Sequence, residues 1–168
     1  MFKNPLLNIA DSIYQWIIKF IVRWLAPVFL LIIRLYWGWQ FHITGMGKLG
    51  NVDKVTGYFQ SLGIPFPRLN VCLAGGTEAF VGLLLLLGVA GRLTSIPLII
   101  TMIVAYITAS PDAVKNIFGK PDDFTSADPF LFMLAAVIVF VFGPGPLSVD
   151  GLITLILKKR TTGNPAAA

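Results

Sequence analysis

Residues 25–44 read LAPVFLLIIRLYWGWQFHIT, and residues 69–90 read LNVCLAGGTEAFVGLLLLLGVA. Each run is close to the ~20 apolar residues that cross a ~30 Å hydrocarbon core at ~1.5 Å per residue. Each also holds one formal charge in its interior, Arg34 in the first and Glu78 in the second. A charge at bilayer depth costs ~2.5–3.5 kcal/mol on insertion scales, so such a residue finds a partner or faces a cavity. Two more apolar runs follow, Leu93–Ser110 and Pro129–Gly143. The fold class expected is an all-α membrane protein, a bundle of four transmembrane helices.

The composition agrees. The 168 residues are 56% hydrophobic and 12% charged, with a mean hydropathy of +0.80, whereas a soluble domain is about 25% charged. The net charge of +5 does not point to nucleic acid, because the basic residues lie between and beside the apolar runs, where they set topology and touch anionic lipid. Cys72 and His42 are the only residues of their kinds. One chain therefore offers no internal disulfide, thiol relay, bis-histidine haem or multi-histidine metal site, and no intrinsic cofactor or metal is expected.

The start of the chain does not read as a cleaved signal, since Asp11 falls early and no small-residue cleavage site follows a short apolar core. Phe2, Leu6, Ile9, Ile13, Trp16, Phe20 and Trp24 instead recur every three or four residues, with Asn4, Asn8, Asp11, Gln15, Lys19 and Arg23 opposite. That pattern is an amphipathic helix lying in the interface. The organisation expected is an interfacial helix over 1–24, a four-helix transmembrane domain over 25–157, and a basic, then flexible tail over 158–168, with Thr161–Ala168 disordered. Within the middle part, Asn51–Ser61 has the spacing of a short surface helix, and Leu147–Leu157 that of a second interfacial helix. Asp128-Pro129 reads as an N-cap acid and first-turn proline, and Gly143-Pro144-Gly145-Pro146 as a sharp stop.

Four crossings put both termini on one side. Seven basic residues fall there (Lys3, Lys19, Arg23, Arg92, Lys158, Lys159, Arg160) against five on the other (Lys48, Lys54, Arg68, Lys115, Lys120). The excess predicts cytoplasmic termini in a multi-pass protein of an inner (cytoplasmic) membrane.

Arg34, Gly38, Phe41, His42 and Gly45 share a face of the first run, and Gly75, Glu78 and Gly82 a face of the second. Counted from outer ends at Thr44 and Leu69, Arg34 and Glu78 both lie ~14–15 Å deep. Antiparallel neighbours would bring them into contact. The pair then reads either as an ion pair that fixes packing or as a polar site for a quinone head group, an anion or a proton. In the second case Gly38, Gly75 and Gly82 line the cavity and His42 forms its mouth, although His42 also suits the aromatic belt beside Trp37 and Trp39. Lys48 reads as a head-group anchor or a lid. Arg92 and Asp150 are expected to pair at the inner boundary.

These motifs resemble the DoxX family of small bacterial membrane proteins. The resemblance runs from Arg34-Leu35, Gly38 and Phe41 through Gly45, Lys48-Leu49, Phe59 and Gly63-Ile64-Pro65. It continues through Gly75, Glu78, Gly82-Leu83, Gly88, Arg92, Pro97, Met102 and Ala105. It ends on Pro129-Phe130 and Gly143-Pro144-Gly145-Pro146-Leu147-Ser148-Val149-Asp150. It implies a four-helix membrane bundle. The family takes its name from membrane subunits of a thiosulfate–quinone oxidoreductase, and other members are linked to redox-protective complexes with a sulfurtransferase and superoxide dismutase. No agreed catalytic motif comes with it.

The function that follows is a membrane subunit of a quinone-linked or redox-protective oxidoreductase system, with electrons supplied by a partner or by the substrate itself. The alternatives are a non-enzymatic scaffold that docks a soluble redox protein and a small-molecule carrier. The partners in view are the lipid bilayer, a soluble redox protein and a second copy of the chain.

Overall fold

The computed structural model describes the backbone of residues 5–162 and the side chains of residues 11–159. The described residues form helices and connecting turns, with no strand among them. Helix α1 (Pro5–Phe20) passes through a π-helical turn (Ile21–Leu25) into α2 (Ala26–Gly50) without a break. A short α3 (Val52–Ser61) follows. Then α4 (Pro67–Gly76), a second π-helical turn (Thr77–Val81) and α5 (Gly82–Leu87) make one further rod. Helix α6 (Gly91–Ala109) returns, and two single-turn helices, α7 (Pro111–Lys115) and α8 (Pro121–Thr125), lead to α9 (Pro129–Phe142) and α10 (Val149–Thr162).

Asp11–Gly50, Pro67–Leu87 and Gly91–Ala109 are each long and apolar enough to cross a membrane, and Pro129–Phe142 is apolar but shorter. Their outward side chains are apolar as well: Ile32, Leu35 and Trp39 on α2, and Ile100, Ile103 and Ile107 on α6, are all exposed. Faces of this breadth are stable only against lipid or another protein.

The buried positions of α2 are Leu30, Arg34, Gly38, Phe41 and Gly45, and those facing them are Val71, Gly75, Glu78, Gly82 and Leu85. Both series step by fours and threes, the spacing of a left-handed seam between nearly antiparallel helices. The seam is close because it is lined with glycine. A Cβ on Gly45 would collide with the backbone nitrogen of Ala79 and come within 2.6 Å of the Gly75 carbonyl oxygen. One on Gly38 would meet the Leu86 backbone at 2.8 Å, and one on Gly82 would meet Phe41 at 2.7 Å. Helices α6 and α9 pack on each other and on this pair, around Phe41, Leu85, Leu98, Met102, Ala136 and Val139.

Several expectations need correction. The first rod continues past Thr44 to Gly50, and Lys48 on the added turns pairs with the buried Glu78. Asp128 makes no side-chain cap; it adopts helical dihedrals ahead of Pro129. Helix α10 runs through the basic residues to Thr162, two residues into the stretch Thr161–Ala168 expected to be disordered. The rest of that tail, 163–168, lies outside the described residues. So do the side chains of Phe2, Leu6 and Ile9 on the proposed amphipathic face. The described part of that face, with Ile13, Trp16, Phe20 and Trp24, is exposed.

Candidate functional site

The ion pair expected between Arg34 and Glu78 does not form. Gly38 packs level with Leu86, and Gly45 level with Ala79. This register places Glu78 opposite the last turns of α2, about twelve residues or ~18 Å along the axis from Arg34. The depth count failed on two grounds: α2 runs on past Thr44 to Gly50, and the ends of α2 and α4 are not level, since Gly50 stands opposite the interior of α4 rather than its start. The structure thus has two polar centres at opposite ends of the seam.

At the α10 end, Arg34 is buried and its guanidinium spans two backbone carbonyls, Nη1 to Pro144 O at 3.0 Å and Nη2 to Leu147 O at 2.7 Å. The fork of a guanidinium suits such a task, and a point charge does not. The loop it grips is Gly143–Val149, held further by Ser148 Oγ donating to Gly145 O and accepting from Gly151 N. Gly88 ends α5 at φ +69°, and a Cβ there would run into the Arg34 guanidinium; glycine meets both demands. Asp150 does not pair with Arg92. Its carboxylate accepts from the backbone N–H groups of Ala90 and Gly91 at 2.8 and 2.9 Å, so it caps α6 and holds Ala90 at its left-handed φ of +47°. Arg92 reaches Val141 O instead, at 3.4 Å. This centre uses its charges to tie a loop and a helix end to α2.

At the α3 end, Glu78 is buried, at 2% exposure, and forms an ion pair with Lys48, which is 28% exposed. Side chains tilt toward the N-terminus of their own helix. Lys48 on α2 and Glu78 on the antiparallel rod therefore lean toward each other across the seam. Glu78 sits in the π-helical turn Thr77–Val81, a distortion that recurs at functional sites. The pair borders a cavity of about 560 Å³ between α2, α3, α4, α6 and the start of α9, with Thr44, Tyr58, Phe59, Thr77, Met102 and Phe132 among its walls. The volume lies in the range of small-molecule sites.

Of the other candidate residues, none lines this cavity. Gly38, Gly75 and Gly82 serve the helix seam. His42 is not the mouth: its Nδ1 lies 2.9 Å from Ala79 O, and because a carbonyl only accepts, Nδ1 carries the proton. The ring braces the π-helical turn beside Trp39, at a centroid distance of 5.5 Å. Lys48 is the residue given too little weight. Its signal was present, since the buried face 34, 38, 41, 45 continues by three to 48. Among the described residues no three His, Cys, Asp or Glu side chains converge as a metal site would need. The polar chemistry available is the Lys48 ammonium, the buried Glu78 carboxylate and the exposed one of Asp128, the Asn70 amide, and the hydroxyls of Thr44, Tyr58, Thr77, Thr101, Thr108 and Ser110.

Residues 29–111 match the DoxX family. An uncharacterized membrane protein of Mycobacterium tuberculosis is 30% identical over 149 residues, covering 82% of this chain and 86% of its own length. An uncharacterized protein of Haemophilus influenzae is 28% identical over 140 residues, 81% of this chain and 90% of its own. No solved structure matches with significance. The matched segment contains both polar centres' helical residues, Arg34, Lys48 and Glu78. Together with helices fit to cross a bilayer and faces fit to meet lipid, the match makes this chain a membrane protein of the DoxX family.

Proposed function

We propose that the cavity at Lys48 and Glu78 binds the head group of a quinone, and that the chain is a membrane subunit of a quinone-linked redox system. The single observation that carries this reading is an ion pair set in the wall of an otherwise largely apolar cavity. A buried pair contributes little net stability, because desolvation offsets most of the attraction. A polar group kept at such a place is better explained by a ligand. The residues present fit a quinone. The Lys48 ammonium can donate to a ring carbonyl, the Glu78 carboxylate can accept from a ring hydroxyl, and Phe59, Tyr58 and Phe132 offer aromatic surface. A bound quinone would supply two-electron redox chemistry. The chain's own part is to orient the head, exclude water and hold polar contacts at its two oxygens.

In this reading α9 is the fourth span, the α3 end faces the periplasm, and both termini are cytoplasmic in the inner membrane. Helix α1 continues the rod of α2 beyond the core on the cytoplasmic side, where α10 also lies. A scaffold that docks a soluble redox partner is the second reading. It is favoured by the full exposure of α1 from Asp11 to Phe20, beyond the packed helices.

The test is gentle purification in nanodiscs, followed by mass spectrometry of co-purifying quinones, lipids and proteins. A quinone enriched over the bulk lipid extract, and lost from the Lys48→Met/Glu78→Leu double variant, is the expected result. No enrichment, with one soluble protein retained equally by both forms, favours the scaffold and overturns the quinone site.

A further inference from the structure

The walls of the cavity are not alike. At the α3 end it is roofed by Tyr58 and Phe59 of α3 and by Leu62 after it, and its polar side is closed by Lys48 and Glu78. Between α4 and α6 there is no comparable closure. Toward the α10 end, α6 packs on the π-helical turn and on α5, but α4 packs on α2 and α3 and makes no extended contact with α6. The edges of the resulting gap are Leu73 on α4 and Ile100 and Val104 on α6. All three line the cavity, yet they are 57%, 56% and 49% exposed. They are apolar and lie within the stretches fit to cross a membrane. Leu73 is six residues into α4 and Val104 five residues from the end of α6, which sets the gap ~8–9 Å below the helix ends. Exposed edges this apolar suit contact with lipid rather than water.

We propose that this gap is a lateral portal, admitting from the bilayer a single-tailed amphiphile with an uncharged, hydrogen-bonding head. The head lies at Lys48 and Glu78, and the tail leaves between Leu73 and Val104 into the lipid. The charges of the pair cancel, so an ionic head would have to break it and leave one buried charge unmatched, whereas a neutral head adds hydrogen bonds to both. A cavity of about 560 Å³ holds a ring and the first tail units but not a long chain, which must pass through an opening whose walls are apolar. The proposal rests on the reading of the cavity as a ligand site and adds the route and the tail.

The test uses the full chain in nanodiscs and two probes, a dimethoxy-methyl-benzoquinone without a tail, added from water, and the same head with a decaprenyl tail, carried in the bilayer. Trp37 stacks edge-on against the cavity residue Phe132 at 5.0 Å, so quenching of its fluorescence reports occupancy. Leu73→Phe/Val104→Phe narrows the portal at half-exposed positions that take no part in the core, and Leu73→Ala/Val104→Ala widens it. The narrowed variant should slow association of the tailed probe at least tenfold and leave the affinity of the tailless probe within twofold. The widened variant should speed the tailed probe. Wild-type rates for the tailed probe in both variants, or equal slowing of both probes, overturn the portal. If the tailless probe binds the wild type, and Glu78→Gln abolishes that binding, the cavity reading survives such a result. If neither probe binds the wild type, the cavity reading and the portal fall together.

Discussion

Arg34, Lys48 and Glu78 are the charges buried or half-buried along the α2 seam, and the structure sorts them into one ion pair and one carbonyl-bound cation. The sorting has a measurable signature. Removing one member of a buried pair leaves the other uncompensated, at ~3–5 kcal/mol when both are fully buried. Lys48 is partly exposed, so about half of that is expected here. Lys48→Met should therefore lower thermal stability in detergent more than Lys48→Met/Glu78→Leu does. By contrast, Arg34→Leu and Glu78→Leu touch no common partner at a separation of ~18 Å, and their effects should add within ~0.5 kcal/mol. A coupling above 1 kcal/mol between Arg34 and Glu78, and none between Lys48 and Glu78, would reverse the assignment. Arg34→Lys is not a conservative change. One ammonium cannot reproduce the fork to Pro144 and Leu147, and losing a charge-assisted hydrogen bond should cost ~1.5–3 kcal/mol in an unfolding titration.

At the scale of the helix, glycines in the same α2 segment divide by what stands opposite them. A Cβ at Gly45 meets the backbone of the facing rod, whereas one at Gly47 meets nothing within 4 Å. Gly45→Val should force the rods apart and cost ~2–3 kcal/mol or prevent folding. Gly47→Ala should be neutral or stabilising by ~0.5–1 kcal/mol, as for a helix glycine with no packing duty. Thermal melts of the two variants check both, and equal losses would mean that the seam is not where the structure puts it. The seam was legible in the sequence because small residues at fours and threes announce close helices. The partners of its charges were not. Which residues meet across two antiparallel helices depends on where the connection sets the register, and Val52–Ser61 with its following turn carries no readable measure of that offset. The role of Gly143–Asp150 was also hidden. The sequence marks it as a stop, but only the fold shows Arg34 reaching into it and Asp150 capping a helix some sixty residues earlier in the chain.

At the scale of the molecule, length arithmetic and charge decide how the chain sits in the bilayer. Pro5–Gly50 is one unbroken rod of ~69 Å at 1.5 Å per residue, more than twice a ~30 Å hydrocarbon core. Its first part must therefore lie outside the core, beyond the end where Arg34 grips the Gly143–Val149 loop. Helix α9 runs from the cavity at Pro129 to that same loop, alongside α6, which fits a crossing although its 14 residues reach only ~21 Å; local thinning of the bilayer accommodates such a mismatch at modest cost. Lys48 is committed to Glu78 within the seam and leaves the count of loop charges. Among the described residues the basic bias is then six at the α10 end (Lys19, Arg23, Arg92, Lys158, Lys159 and Arg160) against four (Lys54, Arg68, Lys115 and Lys120) at the α3 end. The sign of this excess supports the proposed orientation, with the α10 end in the cytoplasm. Reporter fusions at Asp122, between α7 and α9, and at Ala168 measure it directly. The Asp122 fusion should be active only as a periplasmic reporter and the Ala168 fusion only as a cytoplasmic one. The same signal from both would mean that α9 does not cross. Exchanged signals would put the Lys48–Glu78 cavity in the cytoplasmic leaflet and require any quinone to be met from that side.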